Sequence, residues 1–64
     1  MWTAVYVVEG LGKAKKIEKT LTEEGFLVEI KFFSKDGYKE LYEILTPEFE
    51  AEDVYSMLIE LGYI

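Results

Sequence analysis

Four lysines, Lys13, Lys15, Lys16 and Lys19, crowd a stretch that begins Gly10-Leu11-Gly12-Lys13 and runs from an apolar segment into one with helical spacing. Free backbone N–H groups and the helix dipole make such a start attractive to anions. Lysines there oppose the dipole at a cost of a few tenths of a kcal/mol each, which an anionic ligand would offset. Gly10, Gly12, Lys13 and Lys16 are therefore the candidate ligand-binding residues, for a small anion such as a phosphate, nucleotide or amino-acid carboxylate. The competing explanation is a solvated helix face after a glycine turn, since most charge runs lie at the surface. The loop is not a Walker motif, being too short and lacking the Ser or Thr after its lysine.

Little other chemistry is on offer. The chain has no His, Cys, Arg, Asn or Gln, which removes imidazole proton transfer, thiolate nucleophiles, Cys or His zinc sites and guanidinium clamps. Lys, Tyr and carboxylates remain as acids, bases or nucleophiles, but no spacing pairs them. The expectation is that the protein is not an enzyme, with no catalytic residues, no metal site and no cofactor, and an unusual small enzyme is the last alternative. Glu48, Glu50, Glu52 and Asp53 open a second helical segment, where the dipole alone accounts for acids. Calcium would want alternating oxygens on a flexible loop instead.

The 64 residues carry a net charge of −6, from thirteen acids against seven lysines. That balance repels phosphate backbones, so neither nucleic acid nor an anionic membrane is an expected partner. Val5-Tyr6-Val7-Val8-Glu9-Gly10-Leu11 faintly matches the first-strand motif of RNA-recognition domains. The matching third strand should offer stacking aromatics, and Gly37-Tyr38-Lys39-Glu40-Leu41-Tyr42 places Glu40 there instead. No apolar run is long enough to span a bilayer and no signal peptide is visible, so a cytoplasmic location is expected.

The elements that must position these residues follow from hydrophobic period. Trp2 to Val8 is nearly unbroken apolar and reads as a strand. Leu11, Ala14, Ile17 and Leu21 recur at helical spacing. Gly25 then fits a left-handed helix ending, with Leu21 and Phe26 as the accompanying contact. Phe26 to Phe33 is expected as a strand with Val28, Ile30 and Phe32 on one face and Glu29 and Lys31 on the other. Lys35-Asp36-Gly37 provides hairpin chemistry. Tyr38 to Leu45 follows as a strand, with Tyr42 and Ile44 facing one way and Leu41, Glu43 and Leu45 the other. Thr46-Pro47 is expected to cap and start the second helix, whose buried stripe would be Ala51, Val54, Tyr55, Leu58 and Leu61. Glu60-Leu61-Gly62-Tyr63-Ile64 repeats the ending seen at Glu23-Glu24-Gly25-Phe26-Leu27.

Two strand-helix-strand units with the second cut short predict a single α+β domain over 1–64. It is a ferredoxin-like split βαβ in the order βαββα with at most a stub fourth strand at Tyr63-Ile64. The right-handed crossover rule puts both helices on one face of a three-stranded antiparallel sheet with strand three central. A fourth strand would flank strand one, so that edge is left uncovered and invites pairing, and the open sheet face carrying Leu41 and Leu45 is the alternative surface for self-association. Small domains without disulfides or metal often gain stability by oligomerising. A homo-oligomer or another protein is the expected partner, with a small anionic ligand as the alternative. Trp2, Val5, Val7, Leu41, Leu45 and Tyr63 are the candidate interface residues.

Met1-Trp2, Val5-Tyr6-Val7, Glu23-Glu24-Gly25-Phe26-Leu27-Val28, Tyr42-Glu43-Ile44-Leu45-Thr46-Pro47-Glu48 and Ala51-Glu52 together resemble a group of uncharacterised small bacterial signal-transducing proteins. Their fold is like that of the nitrogen-regulatory PII proteins. The chain also looks like a shortened ACT domain, a module that binds small ligands, often at dimer interfaces. The resemblance implies a regulatory module of ferredoxin-like fold. Ser34-Lys35-Asp36-Gly37 has none of the length of the PII partner-contacting loop, so nucleotide or oxoglutarate binding is not carried over.

Overall fold

Apolar runs rich in β-branched and aromatic residues form three strands, and the two segments with helical spacing form two helices, in the computed structural model, which describes residues 1–64. Chain order is β1 (Trp2–Glu9), α1 (Leu11–Glu23), β2 (Glu29–Asp36), β3 (Lys39–Pro47), a 3-10 turn (Glu48–Glu50) and α2 (Ala51–Glu60). The sheet order is β1-β3-β2, with β3 antiparallel to both neighbours. This is the ferredoxin-like α+β arrangement without a fourth strand, and Tyr63-Ile64 adds no rung to the ladder.

The core fills the space between one sheet face and the two helices. Val8 and Ile44 from the sheet meet Ala14, Ile17 and Leu21 of α1 and Val54 and Leu58 of α2. These positions are the helical stripes expected from the sequence, narrowed at their margins. Leu11, Tyr55 and Leu61 are each more than two-fifths exposed and lie outside the core.

Both helices end as their glycines require. Gly25 and Gly62 take φ of 95° and 85°, the left-handed region where a missing Cβ removes the steric penalty. Phe26 donates its N–H to the Leu21 carbonyl at 3.1 Å and Gly25 donates to Thr22 at 3.0 Å. Tyr63 and Gly62 repeat the pattern onto Leu58 and Ile59 at 3.0 and 3.1 Å. Two Schellman endings thus stand 37 positions apart, each satisfying carbonyls the helix would otherwise leave unpaired.

Several boundaries differ from the sequence reading, and β2 ends at Asp36 rather than Phe33 because the hairpin turn lies further on. β2 begins at Glu29 rather than Phe26, because the backbone before it is bonded elsewhere. Phe26 N–H goes to Leu21, Leu27 N–H donates to Glu50 Oε1 at 3.0 Å, and the Leu27 carbonyl accepts the Thr46 hydroxyl at 2.8 Å. Thr46 and Pro47 do not start a helix. They extend β3, pairing with Thr3 and Trp2, and α2 starts only after the 3-10 turn. Pro47 is tolerated because it pairs with β1 alone, lying beyond the Glu29↔Leu45 pair that opens the β2 ladder. The hairpin loop is Gly37-Tyr38, closed by the Asp36↔Lys39 pair. Gly37 carries φ of 64° and no non-glycine residue has positive φ, the glycine-first pattern of a type II′ turn.

Each outer strand carries one register shift, between Ala4 and Tyr6 in β1 and between Phe32 and Ser34 in β2. Extra residues at these points bend an edge and raise its twist.

Candidate functional site

Three surfaces could meet a ligand or partner: the loop before α1, the sheet face without helices, and the grooves along the two sheet edges.

At the loop, Gly10 adopts φ of 92° and its carbonyl accepts the Ala14 N–H at 3.1 Å, opening α1. Its own N–H is already given to the Glu40 carbonyl at 2.8 Å. Gly12, Lys13 and Lys16 are exposed on α1 and line neither groove. Lys15 is the lysine that reaches a concave surface. The acids after β3 are in part structural, since Glu50 holds the Leu27 N–H. No three acidic side chains converge as a cation would require.

The open sheet face is more coherent. Side chains alternate across a strand, and the register places Trp2 opposite Pro47, Ala4 opposite Leu45, Val7 opposite Glu43 and Glu9 opposite Leu41. From the other side Glu29, Lys31 and Ser34 oppose Leu45, Glu43 and Leu41. Four of the six expected interface residues, Trp2, Val7, Leu41 and Leu45, therefore share one face. Trp2 and Val7 are 42% and 41% exposed, and Phe33, at 53%, joins them at the β2 irregularity. Phe33 was legible by alternation from Glu29 and Lys31 but was not singled out. Val5 and Tyr63 lie elsewhere. The β1 irregularity turns Val5 toward the helices, where it packs on the core. Tyr63 packs on that same core, and its carbonyl accepts the Tyr6 hydroxyl at 3.0 Å.

Two open grooves follow the sheet edges. One, of about 530 Å³, runs between Thr3, Ala4 and Val5 of β1 and Ala51, Glu52, Tyr55 and Ser56 of α2. The other, of about 380 Å³, lies between Leu11, Lys15 and Glu18 of α1 and Glu29, Ile30, Phe32 and Tyr42 of the sheet. In the second, Phe32 and Tyr42 meet edge to face with centroids 5.8 Å apart. The Tyr42 hydroxyl donates to Glu40 Oε1 at 3.3 Å, and desolvation together with the negative charge of Glu40 raises the Tyr42 pKa above the ordinary tyrosine value. No motif marks the first groove, because it is formed by a strand edge and a helix flank far apart in sequence.

No helix is long and apolar enough to cross a membrane. Comparison with protein-family models, with curated proteins and with solved structures gave no match.

Proposed function

We propose that the protein is a noncatalytic interaction or regulatory module that self-associates through its open sheet face. The observation that carries this reading is the apolar strip of Trp2, Val7, Phe33, Leu41 and Leu45 on the face no helix covers. Only nine of 64 residues are buried, and all seven core hydrophobics lie in the layer between sheet and helices. A domain this small gains stability from covering its second face, and a second copy is the simplest cover. The face is net acidic, with Glu9, Glu29 and Glu43 against Lys31, but it holds one opposite-charge pair. Lys31 and Glu43 sit side by side within it, so a twofold pairing can set each lysine toward the other copy's acid.

Two copies at −6 each repel one another, so the apolar contact has to work against the overall field. Added salt should then tighten the association by screening that repulsion. Sedimentation equilibrium from low to high micromolar concentration tests the reading. A monomer–dimer equilibrium is expected, weakened at least about tenfold by Val7→Lys or Phe33→Lys, since burying one uncompensated charge exceeds about 1.4 kcal/mol. Both positions are exposed and outside the core, so the fold should survive. A wild-type monomer throughout that range, or a dimer indifferent to both changes, would overturn it.

A further inference from the structure

The groove along β1 has the features of a vacant strand position. It is lined by β1 and α2 alone, with no residue from β3, so it lies on the side of β1 that has no strand neighbour. Antiparallel pairing makes residues alternate between those that bond across the ladder and those whose N–H and C=O point away. Gly10 N–H bonds Glu40, and Glu48 N–H bonds the Met1 carbonyl at 2.9 Å. Counting by twos from Met1 turns the backbone groups of Trp2 and Ala4 outward, toward the free edge. An extended segment laid along Thr3–Val5 would find donors and acceptors in register, with Ala51, Tyr55 and Ser56 overhead.

Charge decides what kind of segment fits. All seven lysines fall between Lys13 and Lys39, on α1, β2 and the start of β3. β1 carries Glu9 as its one charged side chain, and the 3-10 turn and α2 carry Glu48, Glu50, Glu52, Asp53 and Glu60 with no lysine. Glu52 lines the groove itself. A second copy is a poor occupant, because pairing β1 with β1 about a twofold axis would bring two lysine-free acidic helices side by side. The geometry points to a lysine- or arginine-bearing extended peptide segment of another protein, added antiparallel to β1 as a fourth strand beneath α2. Its backbone completes the ladder, its cations face α2 and meet Glu52 and the acids around it, and its alternate apolar side chains extend the open sheet face beside Trp2 and Ala4.

The test is titration of the isotope-labelled protein with a short acetylated and amidated peptide alternating valine and lysine, followed by amide shifts. The matching peptide alternating valine and glutamate serves as control. Shifts are expected at Thr3, Ala4, Val5 and Ala51 through Ser56 with the lysine peptide at millimolar concentration, and none with the glutamate peptide. Glu52→Lys, an exposed helix position, should weaken binding about fivefold or more, since each exposed charge pair contributes up to ~1 kcal/mol and reversal replaces attraction with repulsion. Ala4→Pro should abolish it by removing the outward N–H, at no cost to the β1–β3 ladder. Salt should weaken this binding while it strengthens face-to-face association, so the two surfaces can fail separately. Absence of shifts along the groove, equal response to both peptides, or shifts confined to Val7, Leu41 and Leu45 would overturn the proposal.

Discussion

The two edges of the sheet are built from the same unit and finished in opposite ways. At each, a helix with an apolar stripe overhangs an outer strand carrying one register shift, and the helix closes on a glycine in a Schellman ending. α1, which packs mainly on β3 and borders the groove at the β2 edge, buries three residues, Ala14, Ile17 and Leu21, and carries four lysines. Over the β1 edge, α2 buries Val54 and Leu58 and carries no lysine. The register shifts differ as well. In β1 the extra residue, Val5, turns inward to the core, whereas in β2 Phe33 stays more than half exposed. One supersecondary pattern therefore yields a cationic, better anchored flank and an acidic, less anchored one. The acidic flank is also the one with the larger groove.

The largest effect that could break this contrast comes from the matched leucines Leu21 and Leu58, each fully buried and each offering the carbonyl that its Schellman ending uses. Leu21→Ala and Leu58→Ala should each cost about 2–5 kcal/mol, a large share of the ~3–10 kcal/mol expected for a domain of this size. The distribution should differ. Leu58→Ala leaves α2 with Val54 as its one fully buried anchor, so hydrogen exchange should rise first over α2, whereas Leu21→Ala should lower protection throughout. Equal loss in all elements for both variants would mean that the two flanks are energetically alike.

The glycines give a smaller and cleaner comparison. A Cβ at Gly25 or Gly62 would meet nothing within 4 Å, so Gly→Ala at either site isolates the backbone cost of positive φ, about 1–2 kcal/mol. Gly25→Ala should show that cost in full, because Phe26 and Leu27 are tied to Leu21, Glu50 and Thr46. Gly62→Ala should cost less, since Tyr63-Ile64 is held chiefly by one ending and the Tyr6 hydroxyl and can release the strain by fraying. Urea melts of both variants would check this. A larger loss at Gly62 would reverse the ranking of the flanks.

Those two glycines were also the most legible part of the chain. Helical stripes and glycine endings follow local rules, so Leu21 with Phe26 could be paired from sequence, and the sheet order followed from the ferredoxin-like reading of two strand-helix-strand units. What escaped were features fixed by distant partners. Phe26 to Val28 has strand composition, yet Glu50 and Thr46 take its backbone groups. Thr46-Pro47 carries a helix-start signal, yet pairing with Thr3 and Trp2 keeps it in β3. The open face was readable as alternation at Leu41 and Leu45, whereas Trp2 and Val7 were legible only as part of the uncovered, apolar edge strand. The groove was not, because Ala4, Ala51 and Glu52 carry no signal until β1 and α2 are side by side.

The smallest expected effect concerns the β2 flank, where Tyr42 lies between Phe32 and Glu40. Partial desolvation and the neighbouring carboxylate keep its hydroxyl protonated to higher pH than in the unfolded chain. The folded state then holds the proton more tightly between the unfolded and folded pKa values, so stability from this group is complete below about pH 10 and declines as pH rises through the raised folded value. Tyr42→Phe should flatten that alkaline decline, and Glu40→Gln should shrink it by removing the carboxylate's charge while leaving an acceptor for the hydroxyl. The site is open to solvent, so the change should be a small slope in stability against pH rather than an unfolding transition. The chain has five tyrosines, so an NMR titration of the assigned Tyr42 ring would follow it. If Glu40→Gln leaves the Tyr42 titration where it was, the carboxylate's charge plays no part and desolvation is the leading cause. The β2 flank would then owe its character to its aromatic pair rather than to its charges.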